Sequence, residues 1–90
     1  MPYIKQEDRP KFEEGIKQLL HDLPLTNNGL KRGELNYVIS SIVWRIFEQH
    51  PSYTLANDLH GVLECVANEF YRRKVAPYED LKIKENGDIQ

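Results

Sequence analysis

The chain has 90 residues, of which 40% are hydrophobic and 29% are charged. A chain of this length closes one hydrophobic core, so we expect a single domain over residues 1–90 rather than disorder or low-complexity repeats. Its formal net charge of -2 argues against binding to duplex nucleic acid. Its longest apolar run falls far short of the roughly 20 residues that cross a bilayer, so we expect no membrane association.

Cys65 is the single cysteine of the sequence, which excludes an internal disulfide and a cysteine-rich metal site. This usage is typical of proteins from a reducing compartment. The opening residues Met1–Lys5 carry no apolar stretch of the kind found in secretory signals. The sequence therefore predicts a cytosolic protein, and it indicates neither a cofactor nor a metal site.

The first helix is predicted over about residues 9–23. Asp8 precedes it as a candidate N-cap, and Pro10 is tolerated in a first helical turn. Its apolar residues recur at helical spacing: Phe12, Ile16, Leu19, Leu20 and Leu23. Pro24 and the turn-forming residues Thr26–Gly29 then predict a connecting loop.

The second helix is predicted over about residues 33–49. Its apolar residues follow three- and four-residue spacings without strict alternation, which favours a helix over a strand. These residues are Leu35, Val38, Ile39, Ile42, Val43, Ile46 and Phe47.

Tyr37, Ser41 and Trp44 lie on the opposite face of the second helix, because each residue advances the helix by about 100°. Two interpretations remain open for this face. Either the N-terminal arm or the C-terminal tail covers it, or it contacts another chain, because aromatic side chains are enriched at interface centres. We expect a homo-oligomer in which Tyr37, Ser41 and Trp44 form the interface.

The third helix is predicted over about residues 53–74, with Ser52 or Thr54 as its cap. Gly61 within it indicates either close approach to another backbone or a tolerated glycine. Its apolar stripe comprises Leu55, Leu59, Val62, Leu63, Val66 and Phe70.

Residues 75–90 are predicted to form a short extended or hairpin-like tail. Leu81–Lys84 alternates in polarity, and Asn86–Gly87 is a strong hairpin turn signal. The predicted fold is therefore all-α, a three-helix amphipathic bundle with a short C-terminal tail.

No catalytic motif stands out in the sequence, and we expect no enzymatic activity. His60 and Glu64 lie four residues apart on the third helix. That spacing suits a hydrogen-bonded surface pair, or a partial metal site that another helix would complete, for example through Glu34. Three protein ligands are the least that a catalytic metal needs, and this helix does not supply them.

The densest polar and aromatic cluster is Glu69–Asp80. Its cations would complement the negative helix C-terminus, or they would bind an anion, because arginine presents a planar fork to phosphate. Neighbouring tyrosines can stack on a base, and nearby polar side chains can read its edge. The candidate ligand-binding residues are Arg72, Arg73, Lys74, Tyr71, Tyr78, Asn36 and Glu64.

The segments Gly33–Ile39, Gly61–Val66 and Glu69–Ile89, together with Met1–Lys5, resemble a family of short uncharacterised proteins from bacteriophage and bacterial genomes. The resemblance covers nearly the whole chain. It implies no activity and assigns no site residues. It does imply a setting in which small oligomeric proteins sequester host nucleotide immune signals or bind and block a host protein.

Three functional hypotheses follow. The first is a non-enzymatic binding protein, homo-oligomeric, that sequesters a phosphate-bearing, nucleotide-like signalling molecule in the host cytoplasm. The second is a protein–protein interaction module that binds and inhibits a host protein through Tyr37, Trp44 and the tail. The third is a metal-dependent all-α nucleotide hydrolase that uses Glu64 and His60.

Overall fold

The computed structural model describes residues 3–90; Met1 and Pro2, which belong to the segment Met1–Lys5 considered above, lie outside the described residues. The chain divides into two compact units, one ending at Pro51 and one running over Ser52–Gln90. The elements of the N-terminal unit are a 3-10 turn Gln6–Asp8 and the helices α1 Pro10–Asp22 and α2 Arg32–Gln49. The elements of the C-terminal unit are α3 Tyr53–Phe70, a π-helical turn Tyr71–Val75 (the π turn) and α4 Ala76–Asn86.

The N-terminus of α1 differs from the predicted cap at Asp8, which lies in the 3-10 turn. Arg9 occupies the N-cap position and its side chain makes no cap hydrogen bond. Instead, the Arg9 guanidinium donates from Nε and Nη2 to the carbonyl of Ile4, at 3.2 and 3.0 Å. This contact ties the incoming chain to the start of the helix, and Pro10 occupies the first turn as predicted.

A tight turn follows α1, in agreement with the predicted loop. The backbone N–H of Gly29 donates to the carbonyl of Thr26 at 2.9 Å. Gly29 has φ +93°, a conformation that favours glycine. The Thr26 Oγ1 atom accepts from the backbone N–H of Asn28 at 3.2 Å, so the threonine side chain fixes the same turn.

The helix α2 confirms the helical interpretation of its β-branched sequence. The side chains of its predicted apolar stripe differ in solvent exposure. Leu35, Val38, Val43 and Phe47 are half-buried, whereas the isoleucines of the stripe are more exposed. On the opposite face Tyr37 and Trp44 are 68% and 65% exposed. Neither face of α2 carries a fully buried side chain.

The start of α3 confirms one of the two predicted caps. Ser52 is extended, with φ -158° and ψ 159°, and its Oγ atom accepts from the backbone N–H of Leu55 at 3.0 Å. This bond satisfies one of the free N–H groups of the first turn. Ser52 is therefore the cap, and Thr54 lies inside the helix.

The C-terminal segment does not form the predicted extended or hairpin-like tail, because residues 76–86 are helical. Pro77 lies in the first turn of α4, directly after the π-helical turn that lets the helical segment continue past a residue without an N–H. Gly87 ends the helix with φ +90° and donates its N–H to the Ile83 carbonyl at 2.8 Å. The Asn86–Gly87 pair thus terminates a helix rather than a hairpin, because both structures use the same positive φ of glycine.

The all-α class is confirmed, with three helical segments and, over residues 3–90, no β-strand. The third helical segment runs from α3 through the π turn into α4. No side chain in the described part of the chain is fully buried. The single-domain organisation and the packing of the predicted bundle therefore remain predictions.

Candidate functional site

The π turn carries the three consecutive cations Arg72, Arg73 and Lys74. Within it the N–H of Ala76 donates to the carbonyl of Tyr71, five residues back instead of four. Pro77 explains this position, because in an α-helix its ring would press against the carbonyl four residues earlier. Single π turns of this kind are frequent at functional sites.

Arg72 is held against α3 by Glu69. Its Nε donates to Oε2 at 3.1 Å and its Nη2 donates to Oε1 at 3.0 Å, which is a two-point contact. The Arg72 side chain is nevertheless 70% exposed, whereas Glu69 is only 27% exposed. A two-point contact of this kind orients the Arg72 guanidinium along the last turn of α3 while its side chain stays largely in solvent.

Tyr71 and Glu79 are joined across the π turn. The Tyr71 hydroxyl donates to Glu79 Oε1 at 2.6 Å. This hydrogen bond raises the pKa of Tyr71 above 10.0, with smaller contributions from the charges of Glu79 and Asp80. The bond fixes the Tyr71 ring over the first turns of α4.

A groove with a volume of about 540 Å³ lies beside this bond. Its walls combine two tyrosines with two carboxylates and one cation, since it is lined by Tyr71, Ala76, Tyr78, Glu79, Asp80, Lys82 and Ile83. The Lys82 Nζ atom lies 5.5 Å from the centre of the Tyr78 ring and also contacts Glu85 Oε2 at 3.1 Å. The groove therefore offers an aromatic surface bordered by hydrogen-bond acceptors.

The structure brings together only some of the predicted ligand-binding residues. Tyr71 and Tyr78 line the groove, and the three cations occupy the adjacent π turn. Glu64 pairs instead with His60: the Oε1 atom of Glu64 lies 3.5 Å from the Nδ1 atom of His60. Both side chains are largely exposed. The carboxylates Glu79 and Asp80 received no role from the sequence, although they belong to the same cluster.

Asn36 lies on α2, in the N-terminal unit. Its Oδ1 atom accepts a hydrogen bond from Ser40 Oγ at 3.0 Å, one helical turn along. This local contact engages the carbonyl oxygen of the Asn36 side chain within α2.

The predicted interface residues Tyr37, Ser41 and Trp44 all lie on α2. Ser41 is half-buried, whereas the two aromatic side chains are mostly exposed. Tyr37 also lines a groove of about 390 Å³ within the N-terminal unit, whose other lining residues are Leu19, Asp22, Leu23, Gly33, Glu34 and Val38. The aromatic face of α2 is thus continuous with an apolar depression at the end of α1.

Asp22 contributes a fixed negative charge to the edge of that second groove. Gln18 Nε2 donates to Asp22 Oδ2 at 3.2 Å, and His21 Nδ1 lies 3.3 Å from Oδ1. The hydrogen bond from Gln18, followed by that from His21, lowers the pKa of Asp22 below its usual 3.8. Asp22 therefore stays ionised throughout the neutral pH range.

Within residues 3–90, no three His, Cys, Asp or Glu side chains come together in an arrangement that could hold a metal ion. Over the same residues, none of the helices has the length and apolarity needed to cross a membrane.

Comparison with known proteins places the chain in a family without assigning it a reaction. Neither the curated proteins nor the solved structures contain a significant match to it. A family profile described as a domain of unknown function (DUF6899) matches residues 1–89. Because this match spans nearly the whole chain, the protein belongs to the DUF6899 family.

Proposed function

We propose that this protein is a non-enzymatic, cytosolic binding protein that captures a phosphate-bearing, nucleotide-like signalling molecule in a homo-oligomer. The bacteriophage setting implied by the sequence resemblance would make it an anti-defence protein acting in the host cytoplasm. The observation that carries the proposal is the π turn, which presents Arg72, Arg73 and Lys74 beside a groove lined by tyrosines.

The chemistry of the π turn suits a phosphate. Arginine binds phosphate oxygens through a planar fork, and lysine adds a compact charge. Glu69 holds Arg72 from one side while leaving it 70% exposed, so the cation is oriented before a ligand arrives. Orienting a binding group in advance lowers the entropy lost on binding.

An assembly of several copies is supported by the exposed aromatic face of α2. Tyr37 and Trp44 expose about two thirds of their surface, although large aromatic side chains gain most from burial. Successive cations on a helical turn also point in different directions, so one chain surrounds a phosphate poorly. A ligand held between copies of the chain would receive cations from more than one direction.

The same aromatic face favours a second candidate function, a module that binds and inhibits a host protein. Tyr37 lines the groove at the end of α1, and Trp44 is two helical turns further along α2. Under this alternative, Trp44→Ala weakens capture of the partner and no small molecule co-purifies with the protein. Replacing Arg73 would then leave partner binding unchanged.

The decisive experiment is native mass spectrometry of the full chain, before and after incubation with cyclic and NAD-derived nucleotides. We expect an oligomer that retains a nucleotide. Arg73→Glu should weaken retention by about 10- to 100-fold, the equivalent of losing a charge-assisted hydrogen bond, while circular dichroism remains unchanged. Lys17→Glu, an identical kind of charge reversal on α1, serves as the matched control.

Two results would contradict the proposal. Nucleotide retention that survives Arg73→Glu would rule out the π turn as the phosphate site. Absence of retained nucleotide across the whole panel would favour the protein-binding alternative, and affinity capture with Trp44→Ala as the comparison would then follow.

A further inference from the structure

The C-terminal unit is one helical segment, so Ser52–Gln90 contains no second element that could cover the apolar stripe of α3. Most helices in proteins owe their stability to burial of an apolar face against another element, rather than to helix propensity. Leu55 and Leu59 are half-buried. Val62, Val66 and Phe70 are 59%, 63% and 61% exposed. Exposed apolar side chains that form a continuous stripe indicate a contact surface.

The spacing of this stripe is the same when it is read in either direction along α3. Successive residues are separated by four, three, one, three and four positions, in the order Leu55, Leu59, Val62, Leu63, Val66 and Phe70. A twofold axis through the middle of the stripe would relate two antiparallel copies of α3. Leu55 then lies level with Phe70 of the second copy, and Leu59 lies level with Val66. Every residue of the stripe thus meets an apolar residue, as a self-complementary twofold interface requires.

The charges after α3 favour the antiparallel direction over the parallel one. Each copy carries Arg72, Arg73 and Lys74 in its π turn. In a parallel pair, the two sets of cations would lie side by side and repel each other. In the antiparallel pair they lie at opposite ends, roughly 30 Å apart, because each residue adds about 1.5 Å along a helix. The positive N-terminus of each α3 also lies beside the negative C-terminus of the other.

The two edges of the stripe are compatible with close packing. Ala56 and Ala67 lie along one edge, where their small side chains let two helices approach. Asp58 and Glu69 lie along the other edge and would meet across the pair. The charge of Glu69 is compensated within its own chain, because Arg72 donates to both of its carboxylate oxygens, at 3.1 and 3.0 Å. The pairing therefore brings no uncompensated like charges together.

We infer that α3 pairs with α3 of a second copy of this chain, as an antiparallel twofold dimer that buries the stripe from Leu55 to Phe70. This interface is separate from the aromatic face of α2, and it does not depend on the proposed ligand. Because the two π turns lie at opposite ends of the pair, one dimer presents two separate cationic turns. A ligand that receives cations from two copies would therefore lie between two such dimers.

The first test is sedimentation equilibrium of the full chain without nucleotide, for the original sequence and for Val66→Glu. We expect Val66→Glu to weaken the dimer by about 100-fold or more, because it places a carboxylate against the apolar stripe of each copy. Asn68→Glu introduces the same charge on the opposite face of α3 and is the matched control. It should leave the dimer intact, and both variants should keep the circular dichroism of the original chain.

The second test measures the direction of the pair with one nitroxide label on each chain. Cys65 is exposed and carries the label in the original sequence. Thr54→Cys, combined with Cys65→Ala, carries it near the start of α3. Antiparallel pairing separates the two labelled positions along the axis by about 8 Å at residue 65 and by about 26 Å at residue 54. Double electron–electron resonance should therefore give a clearly longer distance for the label at residue 54.

Three results would overturn the inference. Equal label distances at the two positions would indicate a parallel pair. A monomeric original chain would mean that the N-terminal unit of the same chain covers the stripe. An assembly that survives Val66→Glu and is lost in Trp44→Ala would place the contact on α2, and the oligomer of the proposed function would then remain. Conversely, an intact α3 dimer that retains no nucleotide would contradict the proposed function alone.

Discussion

The Tyr71 hydroxyl and the Glu79 carboxylate meet at 2.6 Å although eight residues separate them along one continuous helical segment. In a regular α-helix, eight steps of about 100° would leave the two side chains roughly 80° apart. The π turn contains one residue more than an α-helical turn, so the two side chains are placed as if seven residues separated them. They therefore lie only about 20° apart around the helix axis. The bond and the π turn therefore depend on each other.

Glu79→Gln should lower the pKa of Tyr71 toward that of an ordinary tyrosine. The hydrogen bond raises this pKa, so its contribution to stability is fully present below pH 10.0 and disappears as the pH rises through the folded-state value. The measurement is the ultraviolet absorbance of phenolate during an alkaline titration, with Tyr71→Phe identifying the residue's contribution. Glu85→Gln, which alters a carboxylate bonded to Lys82, is the control and should leave the titration unchanged.

Pro77→Ala should convert the π turn into regular α-helix. Alanine restores the missing N–H and removes the ring that disfavours an α turn at Arg73. The Tyr71–Glu79 bond should then lengthen or break, because the pair returns to eight-residue spacing. NMR carbon chemical shifts over residues 71–76 would report the change, and persistence of the bond between Ala76 and Tyr71 in the variant would contradict our explanation.

Periodicity was sufficient to predict the positions of α1, α2 and α3, because each carries a long apolar stripe at helical spacing. The sequence narrowed the cap of α3 to Ser52 or Thr54, because both side chains can accept from the free N–H groups of a first turn, and the extended backbone of Ser52 decides between them. The helix α4 was not predictable, because Pro77 resembles a helix terminator and Leu81–Lys84 is too short to distinguish alternation from helix. The groove was missed for the same reason, because its lining residues come together only when residues 76–86 are helical.

Ser52→Ala should destabilise the start of α3. The substitution removes the bond from Leu55 N–H to Ser52 Oγ, and loss of such a cap costs about 0.5–2 kcal/mol. The decrease should appear in thermal unfolding at a fixed protein concentration. Ser52→Asp keeps an acceptor and should restore the stability, whereas a Ser52→Ala variant as stable as the original chain would mean that the cap is dispensable.

Gly61→Ala should raise helix stability by about 1 kcal/mol, the usual preference of alanine over glycine within a helix. Apart from the two neighbouring residues and the adjoining backbone of α3 itself, no atom of the described residues lies within 4 Å of the position that the new Cβ would occupy. Gly15 on α1 has equally open surroundings, and Gly15→Ala is the matched comparison. If Gly61→Ala alone lowers stability or dissociates an oligomer, Gly61 lies against a second backbone in the assembly.

The extra residue in the π turn also limits the length over which another helix can pack against the segment formed by α3 and α4. Leu59, Phe70 and Leu81 recur at intervals of eleven residues. In an uninterrupted α-helix, each interval would rotate the side chain by only about 20° around the helix axis, so all three would lie on nearly the same face. The π turn rotates Leu81 to roughly 80° from Phe70. A straight partner helix packed along α3 therefore loses its register after Phe70, and its seam ends where the cations begin.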